Sequence, residues 1–348
     1  MKLSVLAMVA LFSGSVFASK ARVNSLQGAN HLVDTQTVFT VPSHMMLLNP
    51  YMTFEFGAAG TDAEGGIMRS FSNGHRLLAY VGHQNTTDSA AAPDLRTSAS
   101  YLGQNNPIEV LYGMGNMAFG ASVSMVDNKR TKTKEQTVVA KWGMNFDDNW
   151  VYAHLHLISM AEKDNAGDTD EATAAPYLTV GTSFAMNDLR IFGEIDYGSG
   201  KDDPGSAVGT TTDVDDMNVS VGLEDRSLRK DAADIYYGIR LDWAKREYED
   251  AEMSATKLPA FLGIEYGMVS WATVRASVSQ NILFGNTKDE TGTPSVTEKE
   301  GINSDTLVAA GLGLKWNNLM LDGSLTAAGN GDINGSQFIS QASLTYNF

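Results

Sequence analysis

The chain has 348 residues, and its 25 lysines and arginines stand against 41 aspartates and glutamates, a formal net charge of −16. This acidity argues against nucleic acid as a partner, since phosphate backbones are bound by cationic side chains. The sequence contains no cysteine, which excludes a disulfide scaffold, and a secreted chain of this length then needs another source of cohesion.

Residues 1–18 have the three parts of a secretory signal peptide. Lys2 gives a basic start, residues 3–17 form a short apolar run, and Val16-Phe17-Ala18 places small residues at the two positions that a signal peptidase inspects. The run is too short to cross a bilayer as a helix, which needs about 20 residues. We therefore predict an exported protein.

Residues 19–50 show no strong hydrophobic period and end in Asn49-Pro50, directly before the first predicted strand. We interpret them as a periplasmic or lumen-facing N-terminal segment, with a plain tether as the alternative.

From Tyr51 onward, apolar and polar residues alternate in runs that are separated by turns. Because a strand points successive side chains to opposite faces, each run predicts one apolar and one polar face. Sixteen runs fit this pattern: 51–58, 64–72, 75–85, 106–113, 117–127, 135–146, 150–162, 174–186, 188–199, 215–225, 233–245, 256–267, 270–282, 304–316, 318–328 and 337–348. If the first two runs are not membrane strands, the number is fourteen.

The turns alternate in length, which distinguishes a membrane barrel from a soluble sandwich or a large lipocalin-like barrel. They are short at 145–149, 186–188, 267–270 and 317–318, and we expect longer polar loops at 163–174, 200–214, 245–255 and 283–303. Aromatic residues near the strand ends suit the girdles of such barrels. We therefore predict that residues 51–348 form an all-β, transmembrane, antiparallel up-and-down β-barrel of 16 strands.

The last strand carries a family resemblance. Leu344, Tyr346 and the terminal Phe348 lie on one face of an alternating run, and this run resembles the C-terminal strand of Gram-negative outer-membrane β-barrels. In that family the final aromatic strand is the signal read by the barrel-assembly machinery. The lead-in that ends in Asn49-Pro50 is similar to that of several outer-membrane families, including fatty-acid-transporter-like barrels.

The layout of the whole mature chain resembles porin-like outer-membrane proteins, in particular the major outer-membrane proteins of predatory bacteria. The resemblance implies a location in the bacterial outer membrane, contact with its lipid and lipopolysaccharide, and insertion by the barrel-assembly machinery. It leaves a homotrimer open.

No catalytic or nucleotide-binding motif is present in the sequence: it lacks Gly-x-Ser-x-Gly, His-Glu-x-x-His, P-loop and Gly-x-Gly-x-x-Gly patterns. His154 and His156 share one strand face and would need a third ligand to hold a metal. We interpret them as residues of the lumen wall, and we predict no enzyme activity, no cofactor and no metal site.

The polar faces of the predicted strands carry charges of both signs, which we predict to line a pore. These residues are Lys141, Arg190, Glu194, Asp196, Arg240, Asp242, Glu265, Arg275, Lys315 and Asp322. Barrels of about 16–18 strands leave an aqueous channel.

The leading functional hypothesis is a porin for passive diffusion of small hydrophilic solutes or ions. Acidic loops at the mouth favour a weak cation preference. Residues 283–303 or 85–106 are the candidates for an inward constriction loop. The alternatives are a structural or surface-interaction barrel with a closed lumen, and a transporter of hydrophobic substrates.

Overall fold

The structure is a computed structural model that describes residues 19–57, 63–83, 106–129, 133–165, 168–203, 212–230, 232–248, 251–289, 296–299, 306–328 and 341–348. The predicted signal peptide, residues 1–18, lies outside these ranges. One antiparallel sheet of seventeen strand segments dominates the described part of the chain.

The segments follow one another along the sequence, and each pairs with its neighbours. They are β1 Tyr51–Gly57, β2 Glu64–Ser70, β3 Arg76–Val81, β4 Ile108–Met114, β5 Met117–Asn128, β6 Thr133–Phe146, β7 Asn149–Asn165, β8 Asp168–Met186, β9 Leu189–Asp203, β10 Thr212–Asp225, β11 Ala233–Tyr248, β12 Ala251–Val269, β13 Ala272–Asp289, β14 Val296–Lys299, β15 Leu307–Trp316, β16 Leu319–Ala328 and β17 Gln341–Asn347.

The sheet closes on itself because β1 pairs with β17, from Tyr51 opposite Asn347 to Gly57 opposite Gln341. β14 and β15 pair with successive parts of β13 and together form one strand of the wall. The protein is therefore a closed, antiparallel up-and-down β-barrel of 16 strands. This confirms the predicted fold and strand number, and the alternative of fourteen strands is wrong because β1 and β2 are both part of the wall.

Tight turns join the strands at the rim that also holds the start of β1 and the end of β17. Asp147, Asn187 and Asn317 occupy these turns with φ of 55°, 58° and 52°. This left-handed conformation suits Asn and Asp better than most residues, because their short polar side chains tolerate it. The same residue types in the sequence predicted the turns.

At the other rim the strands are longer than predicted. β7 has 17 residues and β8 has 19, and their pairing continues to Asn165 opposite Asp168. The predicted loop at 163–174 is thus mostly strand, and the predicted loops at 200–214, 245–255 and 283–303 also contain strand residues at one or both ends. A membrane crossing needs only about 9–11 residues. Polar composition here therefore marks where the hairpins leave the lipid, and the strand ladder continues past that point.

The two faces of the wall differ in polarity. In β1, Phe54 and Phe56 are 44% and 53% exposed on the outer face, whereas Thr53 and Glu55 are buried on the inner face. Leu344, Tyr346 and Phe348 lie on the outer face, and the rings of Tyr346 and Phe348 are 5.7 Å apart. An apolar outer belt around a closed wall faces lipid, so the barrel is transmembrane.

The N-terminal segment, residues 19–50, lies inside this wall. Its helix α1, Lys20–Ser25, packs against β13, β15, β16 and β17, while a 3-10 helix, Pro42–Met46, packs against β3 to β7. A second 3-10 helix, Thr37–Phe39, joins them. Only the lumen lets one segment contact opposite sides of a closed barrel. Within the described residues, no helix is long and apolar enough to cross a membrane.

Several inward aromatic rings lie over glycines of the neighbouring strand. The Tyr236 ring covers Gly263 and the Tyr152 ring covers Gly181, and a Cβ at either glycine would overlap the ring. Such pairs fix how β-strands lie side by side, since the ring fills the space that the missing side chain leaves.

We expect Gly263→Ala to destabilise the barrel by roughly 1–3 kcal/mol, because the added methyl group overpacks the Tyr236 ring. The matched control is Gly267→Ala in the same strand, where the nearest atom to an added Cβ is 3.8 Å away. Heat-induced unfolding in detergent, followed by gel mobility, measures both. Equal unfolding temperatures for the two variants would contradict this account of the ring.

Candidate functional site

The lumen is the candidate site, and α1 is held in it by an alternating chain of charges. Arg22 donates from Nε to Glu265 Oε2 at 2.7 Å and from a terminal nitrogen to Oε1 at 3.0 Å. Arg275 donates to Glu265 Oε2 at 2.6 Å and to Asp322 Oδ1 at 2.6 Å. Charge-assisted, bidentate hydrogen bonds of this kind are strong and directional. They attach α1 to β12, β13 and β16.

The middle of the N-terminal segment is attached to a neighbouring part of the wall, on β8 and β10. The backbone N–H of Asn30 donates to Glu224 Oε2 at 2.7 Å, and His31 Nδ1 lies 2.7 Å from Glu224 Oε1. The Asn30 side chain accepts from Ser183 Oγ at 2.8 Å. Glu224 is fully buried, so these contacts replace the water that its carboxylate would otherwise bind.

The last third of the segment meets β6. Lys141 Nζ donates to both carboxylate oxygens of Glu109 at 3.1 Å and to the carbonyl of Phe39 at 3.2 Å. Ser43 and Asn145 bond each other twice, at 2.6 and 2.8 Å. Lys141 and Glu109 have no exposed side-chain surface, so this pair lies between wall and segment.

Apolar contacts complete the attachment. Phe39, Met45 and Leu48 of the segment pack with wall residues such as Leu78 and Tyr80 in one buried cluster. Leu26 and Leu32 pack with Phe192, Tyr236 and Phe261 in a second cluster. The lumen thus contains a protein core made by the wall and the segment together.

A polar cavity of about 210 Å³ remains between the segment and strands β7 to β11. Its lining includes the segment residues Thr37 and His44 and the wall residues Tyr152, Glu194 and Arg240. The Tyr152 hydroxyl donates to Glu194, and Arg240 Nε lies 3.0 Å from Asp242 Oδ1. Both signs of charge therefore line the cavity, and each charge is held in place by a neighbour.

The structure distributes the ten predicted pore-lining residues over several environments. Glu194 and Arg240 line the cavity. Lys141, Glu265, Arg275 and Asp322 form the buried pairs that hold the segment. The remaining four contact the wall or a rim: Asp196 accepts from Thr179, Asp242 accepts from Ser220, Arg190 lies over the Trp150 ring, and Lys315 is exposed beside the turn at 317–318. Their role as pore-lining residues stays a prediction.

Only part of the two predicted constriction loops lies in the described residues. Residues 84–105 lie outside the described part of the chain. In the other candidate, 283–289 and 296–299 are wall strands that pair with each other over Asn286–Asp289 and Val296–Lys299. Among the described residues, the N-terminal segment is the element that narrows the lumen. The sequence alone left it as a periplasmic or lumen-facing segment and could not show its contacts.

The two histidines predicted to share a strand face each contact a protein group. His154 Nε2 lies 2.8 Å from the carbonyl of Thr40, and the ring of His156 contacts the Tyr177 ring at 5.3 Å. Among the side chains that the structure describes, no group of three or more His, Cys, Asp or Glu residues could hold a metal ion.

Comparisons with known proteins return only similar structures. No protein-family model matches the chain, and no curated protein matches it in sequence. OmpT of Vibrio cholerae, folded in vitro, is 14% identical over 86% of this chain and 95% of its own, with a TM-score of 0.41. A FadL homologue of Pseudomonas aeruginosa is 9% identical over 93% and 96%, with a TM-score of 0.45. CdiB from Escherichia coli is 10% identical over 86% and 63%, with a TM-score of 0.44. Similarity at this level adds no argument about function.

We expect Glu265→Gln to destabilise the protein by about 3–5 kcal/mol, because it removes the negative charge that the two buried arginines Arg22 and Arg275 share. The control, Glu162→Gln, breaks an exposed pair with Lys134 and should change stability by at most about 1 kcal/mol. Thermal unfolding measures both, and limited proteolysis within residues 19–50 reports whether α1 has left the wall. If residues 19–50 of the Glu265→Gln variant were as resistant to protease as those of the unmodified protein, the anchoring role of Glu265 would be contradicted.

His44 makes the attachment of the segment sensitive to acid. Burial lowers the pKa of His44 to about 3, and the positive charge of Arg190 acts in the same direction. An unfolded histidine has a pKa of about 6.5, so between these values the unfolded state binds a proton that the folded state excludes. The contribution of neutral His44 is therefore present above about pH 6.5 and is lost as the pH falls toward 3.

We expect the unfolding temperature to fall more steeply between about pH 7 and about pH 4.5 in the unmodified protein than in His44→Gln, which cannot titrate there. The difference between the two pH curves isolates His44, because the other titrating groups are common to both. Parallel curves would show that His44 is not held neutral.

Proposed function

We propose that this chain, a β-barrel of the bacterial outer membrane, is a porin whose lumen is narrowed by its own N-terminal segment. The observation that carries the proposal is the polar cavity of about 210 Å³ beside the segment, with Glu194 and Arg240 in its lining. A wall of 16 strands encloses enough space for an aqueous channel. Filling most of that space with residues 19–50 favours slow passage of small hydrophilic solutes or ions over that of larger molecules.

Charge supports a weak preference for cations. The chain has 41 acidic against 25 basic residues. Exposed acidic residues such as Asp213 and Glu247 lie on the strand extensions beyond the membrane, where they raise the local concentration of cations. The arginine and the glutamate in the cavity lining keep this preference small.

A closed-lumen barrel with a structural or surface role is the second candidate. The observation in its favour is the number of sides on which the segment is held: by Glu265 on β12, Glu224 on β10 and Lys141 on β6. Such attachment would let the barrel span the membrane without transport. Both candidates are without covalent chemistry.

The polarity of the outer surface indicates the partners of the barrel in the membrane. The lipid-facing belt contacts outer-membrane lipid, and the strand extensions lie at the level of lipopolysaccharide. Recognition of Leu344, Tyr346 and Phe348 by the barrel-assembly machinery and a homotrimeric state stay predictions.

Planar-bilayer recording on the purified mature chain tests the transport proposal. We expect small, uniform conductance steps and a reversal potential that is biased toward cations in a salt gradient. Glu194→Gln should shift that potential toward anions, because it removes the negative charge from the cavity lining. Glu162→Gln makes the same chemical change on the exposed extension and is expected to shift it much less. A folded barrel without conductance would exclude the porin and support the closed lumen.

A further inference from the structure

The polar cavity beside the N-terminal segment has one positive and one negative residue in its lining. Glu194 belongs to β9 and Arg240 to β11, and β10 lies between these two strands. Neighbouring strands are about 4.8 Å apart, so the strands that carry the two charges are roughly 10 Å apart. His44 also lines the cavity and is neutral, because burial lowers its pKa to about 3. Opposite charges therefore face one cavity from two strands.

Arg240 presents hydrogen-bond donors at the cavity. Its Nε donates to Asp242, at 3.1 Å from Oδ2 and 3.0 Å from Oδ1. Among the described residues, the two terminal nitrogens of Arg240 have no hydrogen-bond partner. A guanidinium group holds such N–H groups in a planar fork that matches the two oxygens of a carboxylate. The side chain is 25% exposed, so a solute in the lumen can reach it.

Glu194 is held in orientation by a neighbouring tyrosine. Tyr152, Gly181 and Glu194 lie opposite one another in one row across β7, β8 and β9. The Tyr152 ring covers Gly181, and its hydroxyl donates to the Glu194 carboxylate. An ionised carboxylate can accept about four hydrogen bonds, so the bond from Tyr152 is compatible with a further bond from a protonated amine.

An aromatic surface lies next to the arginine. Phe192, Gly222 and Arg240 form another row, across β9, β10 and β11, and the Phe192 ring covers Gly222. The Phe192 and Trp150 rings both line the cavity and are themselves only 6% and 5% exposed. Apolar walls with a few fixed polar groups are typical of sites that bind small molecules.

The volume of the cavity limits the size of a bound solute. It measures about 210 Å³, and one water molecule takes about 30 Å³ in the liquid. About seven groups of that size therefore fit, which corresponds to a molecule of roughly seven or eight non-hydrogen atoms.

We propose that this cavity is a binding site for a small solute that carries both a carboxylate and a protonated amine, with the size of an aliphatic amino acid. The carboxylate binds the terminal nitrogens of Arg240, the amine binds Glu194, and the apolar body lies against the Phe192 and Trp150 rings. A solute with a single charge leaves one of the two residues without this partner, which lowers its affinity. The inference rests on the proposed function, because it names the class of solute for which the same cavity is selective.

Three probes of nearly the same shape test the proposal on the folded, unmodified protein. L-Valine carries both charged groups, 3-methylbutanoate is L-valine without the amine, and isobutylamine is L-valine without the carboxylate. We expect isothermal titration calorimetry in detergent to give an affinity for L-valine at least about tenfold higher than for either of the other two. Equal affinities for the three probes, or no binding of L-valine, would overturn the proposal.

Two variants assign the two ends of the solute. Arg240→Lys keeps the positive charge beside Asp242 but removes the fork, so it should weaken L-valine and 3-methylbutanoate by about tenfold and leave isobutylamine unchanged. Glu194→Gln should weaken L-valine and isobutylamine by about tenfold and leave 3-methylbutanoate unchanged. The exposed control, Glu162→Gln, should change none of the three affinities. Variants that are folded by gel mobility but bind L-valine as the unmodified protein does would contradict the assignment.

Conductance separates this inference from the proposed function. Selective binding of L-valine by a barrel without conductance would uphold the binding site and exclude the porin. Conductance by a barrel that does not distinguish L-valine from 3-methylbutanoate and isobutylamine would uphold the porin and overturn the binding site.

Discussion

Backbone hydrogen bonding in lipid is the constraint on which the structure depends. Hydrocarbon offers no partner for an N–H or a carbonyl group, so a sheet in the membrane has to close. The pairing of β1 with β17 achieves this, and it brings the two ends of the 16-stranded wall to one rim. Every inward residue is then part of an enclosed space, whose contents decide what the barrel can do.

That space is filled by the chain itself. Charged residues of the inner face have carboxylates or guanidinium groups of the wall and segment as partners, as in Arg22, Glu265 and Arg275. A buried charge without such a partner is costly, so the wall and the segment stabilise each other. The N-terminal segment is thus an internal core for a protein whose outer surface is apolar.

The sequence predicts the wall well because alternation at period two and turn residues such as Asn187 and Asn317 are local signals. It predicts the rim poorly, since acidic residues at 163–174 look the same in a loop and in a strand that has left the lipid. β3 is ambiguous for a different reason. Leu78 and Tyr80 face inward and Leu77 and Val81 face outward, so both faces are apolar. The inner face of β3 packs on the segment, a contact that no pattern within β3 reveals.

The arrangement of the candidate site is the part of the structure that the sequence predicts least well. Lys141 and Glu194 both belong to inward faces and have the same pattern around them. One is buried in an ion pair and the other lines a cavity. The difference depends on which of them the segment covers, and that is a matter of tertiary packing. Whether an inward residue is covered depends on residues far away in the sequence. Lys141, for example, is covered because its Nζ donates to the carbonyl of Phe39.

The contact between Asn24 and Gln341 joins residues that are 317 positions apart. Synthesis delivers the segment first and its last binding partners, on β16 and β17, at the very end. Contacts of such long range close slowly, because the entropy of the intervening chain opposes them until they form. The wall contacts that hold the segment are therefore incomplete until the final strand is in place. Seating of the segment and closure of the wall are one late kinetic event, and a nascent barrel has to keep this segment accessible until then.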